Sequence, residues 1–331
     1  MARKNKIIIS LSGGLGNQMF QYSAYLWLKQ KGLNVYLDKY YYDIQKSFTH
    51  DKYKLNYFSY INEIDFADIK IVNKMVDYSR CYTIKELKNT NLNKLLKICI
   101  IIKKIINNII KKINKNINSS KILNVSSKFY LETVNYNYNC LLDINNNFNI
   151  YIWGIFAHYK YLNDIKDLLI NHYTFNKPLP QKIINTLNII KNNNSVAVHV
   201  RRGDYTGDPI RDVCSMSYYR NAVQYILSKQ GNLKFFIFSN DIEYIKTNFF
   251  FLNDYEIIDN TTLDIPDYYD LFILTQVKHL IISNSTFAWW GAWLNQTPEK
   301  IVIVPEIYHR DNSFVPKDKL YPPEWIKLAI N

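Results

Sequence analysis

The stretch S-V-A-V-H-V-R-R-G-D-Y at positions 195–205 alternates like a strand, then breaks into two arginines, a glycine and an aspartate. Val196, Val198 and Val200 fall on one face of that strand, and Ala197, His199 and Arg201 on the other. A guanidinium fixed at the end of a buried strand is a rigid fork for a phosphate or carboxylate. In open α/β sheets ligands lie beyond the carboxyl ends of the strands, where Arg201 falls. An edge strand entering a charged surface turn would account for Arg201-Arg202 alone. The full H-x-R-R-G-D context argues against it.

Outward from this strand the chain keeps a strand–helix rhythm. Strands are predicted at 195–200, 233–239, 255–258, 279–283 and 300–304, and helices at 217–229, 242–250, 265–278 and 286–295. That alternation is the signature of a doubly wound α/β lobe. Lys177-Pro178-Leu179-Pro180 reads as the boundary before it. Near the N-terminus a strand at 7–11, a glycine turn, a helix at 17–31 and a strand at 34–38 open another parallel sheet. With 331 residues, two lobes are expected, 1–176 and 177–331, the C-terminal tail returning towards the first.

Composition narrows the function classes. Hydrophobic content of 48% with 21% charged residues is that of a globular protein with large cores. The net charge of +13 favours an anionic partner such as a nucleotide, nucleic acid or phospholipid. Much of the excess lies in a Lys/Ile/Asn-rich segment at 85–121. There Ile98, Ile101, Ile102, Ile105, Ile106, Ile109, Ile110, Ile113 and Ile117 form a helical stripe with lysines largely off it. Such a helix packs on its own domain, the commoner use, or lies on an anionic membrane surface. The four cysteines are far apart and form no C-x-x-C pair, which fits a reducing compartment. No signal peptide or spanning helix is expected, so the predicted location is the cytoplasm, with peripheral membrane contact through the basic helix. No nucleic-acid-binding motif accompanies the charge.

Three loops carry chemistry. The first, G-G-L-G-N-Q-M-F-Q-Y from Gly13 and Gly14 through Gly16, Asn17 and Gln18, brings backbone amides and a helix start towards a ligand, either a phosphate or an acceptor. Asp38 ends the next strand where a ribose-binding acid would stand, but Met19 occupies the third glycine position of the dinucleotide fingerprint. In the second, His199 and Arg201 share a face, Arg202 points outward or between lobes, and Asp204 orients an arginine or accepts a proton. The third, S-N-S-T-F-A-W-W-G-A-W-L, is a turn entering a helix. There Ser283, Ser285 or Thr286 can act as cap, and Trp289, Trp290 and Trp293 read as core. No D-x-D occurs anywhere in the chain. Diphosphate charge would then fall to arginine, amides and helix dipoles rather than a carboxylate-held metal.

Together and in this order, the three loops resemble those of glycosyltransferase family 11, the α-1,2-fucosyltransferases. Phe238-Ser239-Asn240-Asp241 and Asp270 with Lys278-His279 sit where that family has similar residues. The resemblance implies a GT-B architecture, two Rossmann-like lobes facing across a cleft, with GDP-fucose held by the C-terminal lobe. It implies inverting transfer of L-fucose from GDP-β-L-fucose without metal or other cofactor, usually to the 2-hydroxyl of a terminal galactose. The acceptor would be a glycan, lipid-linked or part of a surface polysaccharide. By carry-over Arg201 contacts the β-phosphate and His199 helps place the nucleotide. Ser285 and Thr286 line the diphosphate, and Asn17 faces the reaction centre or acceptor. Arg202, Ser239, Asp241, Asp270, Ser283 and Asn284 join the donor side. Asp204, Asp208 and His158 are candidate general bases, unless no strong base is used.

The chain departs from the family at three places. Arg211-Asp212 stand where His-Gly is frequent before the aligned Cys214, Gly154-Ile155-Phe156-Ala157-His158 replace G-x-x-Q-S, and Asn240 replaces a frequent aspartate. These positions bear on the acceptor. Competing readings are a same-fold transferase of another sugar nucleotide, a dinucleotide-dependent oxidoreductase, and a basic non-enzymatic binding protein. The last two leave the second and third loops without a role.

Overall fold

The computed structural model describes residues 6–40, 42, 52–58, 64–75, 128–132, 149–311 and 317–330. The Lys/Ile/Asn-rich segment at 85–121, with its expected 98–117 helix, lies outside the described residues. In the first lobe β1 (Ile7–Ser10), β2 (Val35–Asp38), β3 (Lys128–Glu132) and β4 (Asn149–Trp153) form a parallel sheet in the order β2-β1-β4-β3. Helix α1 (Leu15–Gln30) links β1 to β2. Helix α2 (Ile69–Met75) covers the opposite face, where Val72 packs with Ile8 and Tyr151. Helices α3 (Tyr159–Asp164), α4 (Lys166–His172) and α5 (Gln181–Lys191) lead to the second lobe.

The second sheet contains β5 (Asn194–Val200), β6 (Leu233–Ser239), β7 (Tyr255–Ile258), β8 (His279–Ile281), β9 (Val302–Pro305) and β10 (Ile326–Leu328). All pairings are parallel and the order is β10-β9-β8-β5-β6-β7. Between the strands run α6 (Met216–Lys229), α7 (Ile242–Asn248), α8 (Pro266–Leu274), α9 (Thr286–Leu294) and the short α10 (Lys317–Leu320). The alternation read in β5 holds: Val196, Val198 and Val200 join a core under α6, while Ala197 joins the core on the other face. The helix expected at 265–278 stops at Leu274. The Thr275 hydroxyl bonds back to Phe272 O, and Asn295 Nδ2 donates to Leu274 O and Val277 O at 3.2 and 2.8 Å, which satisfies the carbonyls of the helix end. The tail serves both lobes, since α10 packs on α3 before β10 becomes the edge of the second sheet.

One apolar core crosses between the lobes. Phe20 of α1 meets Trp289 and Trp290 of α9 at ring-centroid distances of 4.8 and 4.9 Å. Aromatic pairs of this kind add about 0.5–1.5 kcal/mol each beyond their burial. The three tryptophans of α9 are all buried, as their core reading required. Lys54 also forms an ion pair with Asp267 across the interface, and Tyr57 and Phe58 pack on Tyr268.

Candidate active site

In the second sheet the winding reverses between β5 and β8, whose outgoing connections leave to opposite sides. Crevices at such points hold the ligands of open α/β sheets. Helix α1 starts at the carboxyl edge of the first sheet and α9 at the carboxyl edge of the second. The two starts touch: Thr286 Oγ1 donates to Asn17 Oδ1 at 2.8 Å, and Trp290 Nε1 donates to Gly16 O at 3.0 Å. The carboxyl edges of the two sheets therefore face each other across one cleft.

On the second-lobe side His199 closes β5 and meets the Ser283 hydroxyl through Nδ1 at 2.9 Å, bridging the crevice. Burial, reinforced by the charge of Arg201, pulls the imidazole down to about 3. The ring is neutral at physiological pH and offers polarity without charge. Neither α1 nor α9 has a side-chain cap on its first-turn amides, so Ser285 occupies the cap position of α9 without using its hydroxyl there. The Thr286 amide is engaged by Tyr308.

Beyond β5 two guanidinium groups share one carboxylate. Arg201 Nη2 donates to Asp204 Oδ1 at 2.7 Å, and Arg211 Nη1 donates to Asp204 Oδ2 at 3.2 Å. Both cations lie by the Tyr205 ring, at 5.3 and 5.0 Å from its centroid. Arg211 also grips Asp208 through Nε and Nη2 at 3.0 and 2.8 Å. Its carbonyl accepts from Asn284 Nδ2 at 2.9 Å, which ties the 208–211 turn to the start of α9. Sequence reasoning saw Arg211 only as a departure from the family pattern. Its pairing with Asp204 spans seven residues of irregular chain, and no periodic signal marks it.

Several expected site residues turn out to be internal supports. The Arg202 guanidinium packs within its own lobe, 3.7 Å from the Tyr244 ring centre and near Asp241. Asp241 caps α7 by accepting from Tyr244 N at 3.0 Å, and Ser239 Oγ accepts from Asp241 N at 3.0 Å. Asn240 Oδ1 holds the Arg202 amide at 2.8 Å. Asn284 is buried and pins Arg211 O and Tyr308 O. In the first loop Gln18 is fully buried. Its Nε2 donates to Gly13 O and Lys52 O, while its Oε1 accepts from Lys54 N, so neither end faces a ligand. Gly13 adopts the left-handed backbone at φ +74° and Gly14 is the N-cap of α1. Gly16 is a packing glycine: a Cβ there would stand 2.4 Å from Phe287 N. Asp38 is taken by Tyr151 OH at 2.6 Å and Tyr40 N at 2.8 Å, which removes the ribose-binding reading.

Of the three candidate bases, Asp208 is held down to about 2 by Arg211 and by the Arg211 and Ile210 amides, and is a weak proton acceptor. Asp204 carries both arginines. His158 follows β4 and caps α3, its Nδ1 accepting from Lys160 N at 3.2 Å. At the far end of the second sheet, burial pushes Asp270 up to about 7 although Asn260 Nδ2 donates to it at 2.8 Å. Below the ordinary carboxyl pKa this acid is protonated in the folded and unfolded chain alike. Between the ordinary value of 3.8 and about 7 the unfolded chain gives up this proton while the folded state keeps it, so stability falls across that window and levels off above it. Asp270→Asn should therefore raise Tm more at about pH 8 than at about pH 5, read from melting curves at both. An equal change at the two pH values would count against a buried, protonated carboxyl.

With this geometry in place, comparison with known proteins identifies the lineage. The model of glycosyl transferase family 11 matches residues 7–329. The chain belongs to glycosyltransferase family 11. An Escherichia coli relative in that lineage, the O-antigen biosynthesis glycosyltransferase WbnK, is 31% identical over 96% of this chain and 99% of its own length. An Escherichia coli α-1,2-colitosyltransferase is 28% identical over 97% and 98% respectively. Among solved structures, NodZ α-1,6-fucosyltransferase soaked with GDP-fucose is similar at TM-score 0.44 and 10% identity, covering 91% of this chain and 95% of that one. The two facing lobes, each built on a parallel α/β sheet, have the GT-B architecture. Among the described residues, no helix is long and apolar enough to cross a membrane.

Proposed function

We propose that this family 11 enzyme transfers L-fucose from GDP-β-L-fucose, with inversion and without a divalent metal, to the 2-hydroxyl of a terminal galactoside of a surface polysaccharide or its lipid-linked precursor. One observation carries the reading: the guanidinium pair Arg201–Arg211, joined by Asp204, stands at the carboxyl end of β5 beside neutral His199 and the start of α9. In the reaction the acceptor oxygen bonds to the anomeric carbon while the bond from that carbon to the β-phosphate oxygen breaks. The electron pair leaves with GDP and the hydroxyl proton passes to a base or to water. Negative charge grows on the β-phosphate, where Arg201, Arg211 and the positive end of α9 would meet it. The anomeric carbon gains oxocarbenium character, so the proton is lost late and a weak base suffices.

The test is GDP release from GDP-fucose by the purified chain with a galactoside acceptor, with and without EDTA, followed by linkage analysis of the product. GDP release undiminished by EDTA and an α-1,2-linked fucose are expected. Activity lost to EDTA and restored by Mn²⁺ would overturn the metal-free reading. A second donor has specific support in the colitosyltransferase relative. Colitose is the 3-deoxy form of L-fucose and would leave the same GDP, so GDP-colitose belongs in the same assay.

A further inference from the structure

Six tryptophans occur in the chain. Trp27, Trp289, Trp290, Trp293 and Trp325 are no more than 6% exposed, whereas Trp153 is 37% exposed. Trp153 is the last residue of β4, at the carboxyl edge of the first sheet, the edge from which α1 starts to meet α9 and therefore the cleft side of this lobe. In the parallel register Trp153 pairs with Ser10, and Ser10 pairs with Asp38. Residues in register on neighbouring parallel strands share a face. The row before them on that face, Tyr36, Ile8 and Tyr151, is covered through Val72 of α2. In the last row Ser10 and Asp38 are still buried, Asp38 held by Tyr151 OH and Tyr40 N, and only the Trp153 indole is open.

We infer that Trp153 is the platform on which the acceptor sugar ring stacks. The inference rests on the glycosyl-transfer reading above and adds the acceptor subsite to it. An aromatic face left in water matches the apolar face of a pyranose, whose hydroxyls stay free to bond at the ring edge. Galactosides suit it best, because their axial 4-hydroxyl leaves the hydrogens on carbons 3, 4 and 5 as one apolar patch. The platform is also fixed in place. The carbonyl of Gly154 accepts from Gln21 Nε2 at 2.9 Å, and that of Phe156 accepts from Tyr161 OH at 2.7 Å. Phe156 itself is held at φ 59°, a left-handed conformation rare for a bulky residue and retained where the surroundings enforce it. The donor-side groups all lie on the other lobe, which leaves this rim to the acceptor.

Because the other five tryptophans are buried, acrylamide quenching of tryptophan fluorescence reads Trp153. With GDP present, methyl β-D-galactopyranoside should shield the quenchable fraction, methyl β-D-glucopyranoside should shield it less, and Trp153→Phe should lack that fraction. In kinetics Trp153→Ala should raise the KM for the galactoside about tenfold, or about 1.4 kcal/mol. The KM for GDP-fucose should stay unchanged, and Trp153→Phe should recover most of the loss. Absence of shielding by the galactoside, or equal shielding by GDP-fucose alone, would overturn the platform, as would an effect confined to the donor KM. If no fucose is transferred at all, the proposed reaction fails, while galactoside shielding would still uphold the sugar platform.

Discussion

Arg201→Ala should lower turnover of GDP-fucose by about 10²–10³-fold, the loss found when one preorganised donor to a developing negative charge is removed. The expectation follows from where the charge goes in the proposed reaction. A leaving GDP concentrates negative charge at the end of β5, and Arg201 is fixed there by Asp204 at 2.7 Å and by the Tyr205 ring. Folding should be little affected. The Arg201 side chain is 36% exposed, and ion pairs so open to water contribute about 0–1 kcal/mol. Arg201→Lys keeps the charge but loses the fork, so it should recover only part of the rate. A separate readout is available in His199. Arg201 helps to hold its imidazole pKa down, so removing that cation should let the pKa rise, although burial, the larger cause, remains. Full activity in a folded Arg201→Ala enzyme would remove the phosphate role.

The fold was largely legible because its signals are local. Alternation in β5, the strand–helix rhythm after Pro180 and the glycine turn before α1 each report on neighbours in sequence, and each element formed close to its expected bounds. The site was only partly legible. His199 and Arg201 could be read because a strand end fixes their direction. Asp241, Asn284 and Gln18 misled because a polar side chain at a strand end or helix start can serve a ligand or the backbone equally well. Only the fold shows which: Gln18 spans Gly13, Lys52 and Lys54, contacts up to 36 residues apart. Arg211 escaped for the same reason, since its partnership with Asp204 depends on the path of an irregular turn. Trp153 reads in sequence like any strand tryptophan. Its exposure appears only when α2 is seen to cover the row before it.

Gly16→Ala should destabilise the protein, against the sign expected from the helix alone. In an exposed helix interior, replacing glycine by alanine gains about 1 kcal/mol. Here the added Cβ would stand 2.4 Å from Phe287 N, 2.5 Å from Thr286 C and 2.8 Å from Thr286 O. All three are backbone atoms of α9, which have no rotamer to turn away, so α1 and α9 must separate. Overpacking of this kind costs about 1–3 kcal/mol, enough to cancel the propensity gain and exceed it. Separation would also stretch the Trp290 Nε1 bond to Gly16 O and the Thr286 bond to Asn17, both of which set the two helix starts against each other. Loss of Tm should therefore come with loss of turnover, because the two sides of the cleft are held in register by this contact. Gly231→Ala is the control: a Cβ there meets nothing within 4 Å, and Tm should hardly move. A rise in Tm for Gly16→Ala would mean that the lobes have slack at α1 and α9. The glycine would then serve the approach of a ligand to the loop rather than the approach of one lobe to the other.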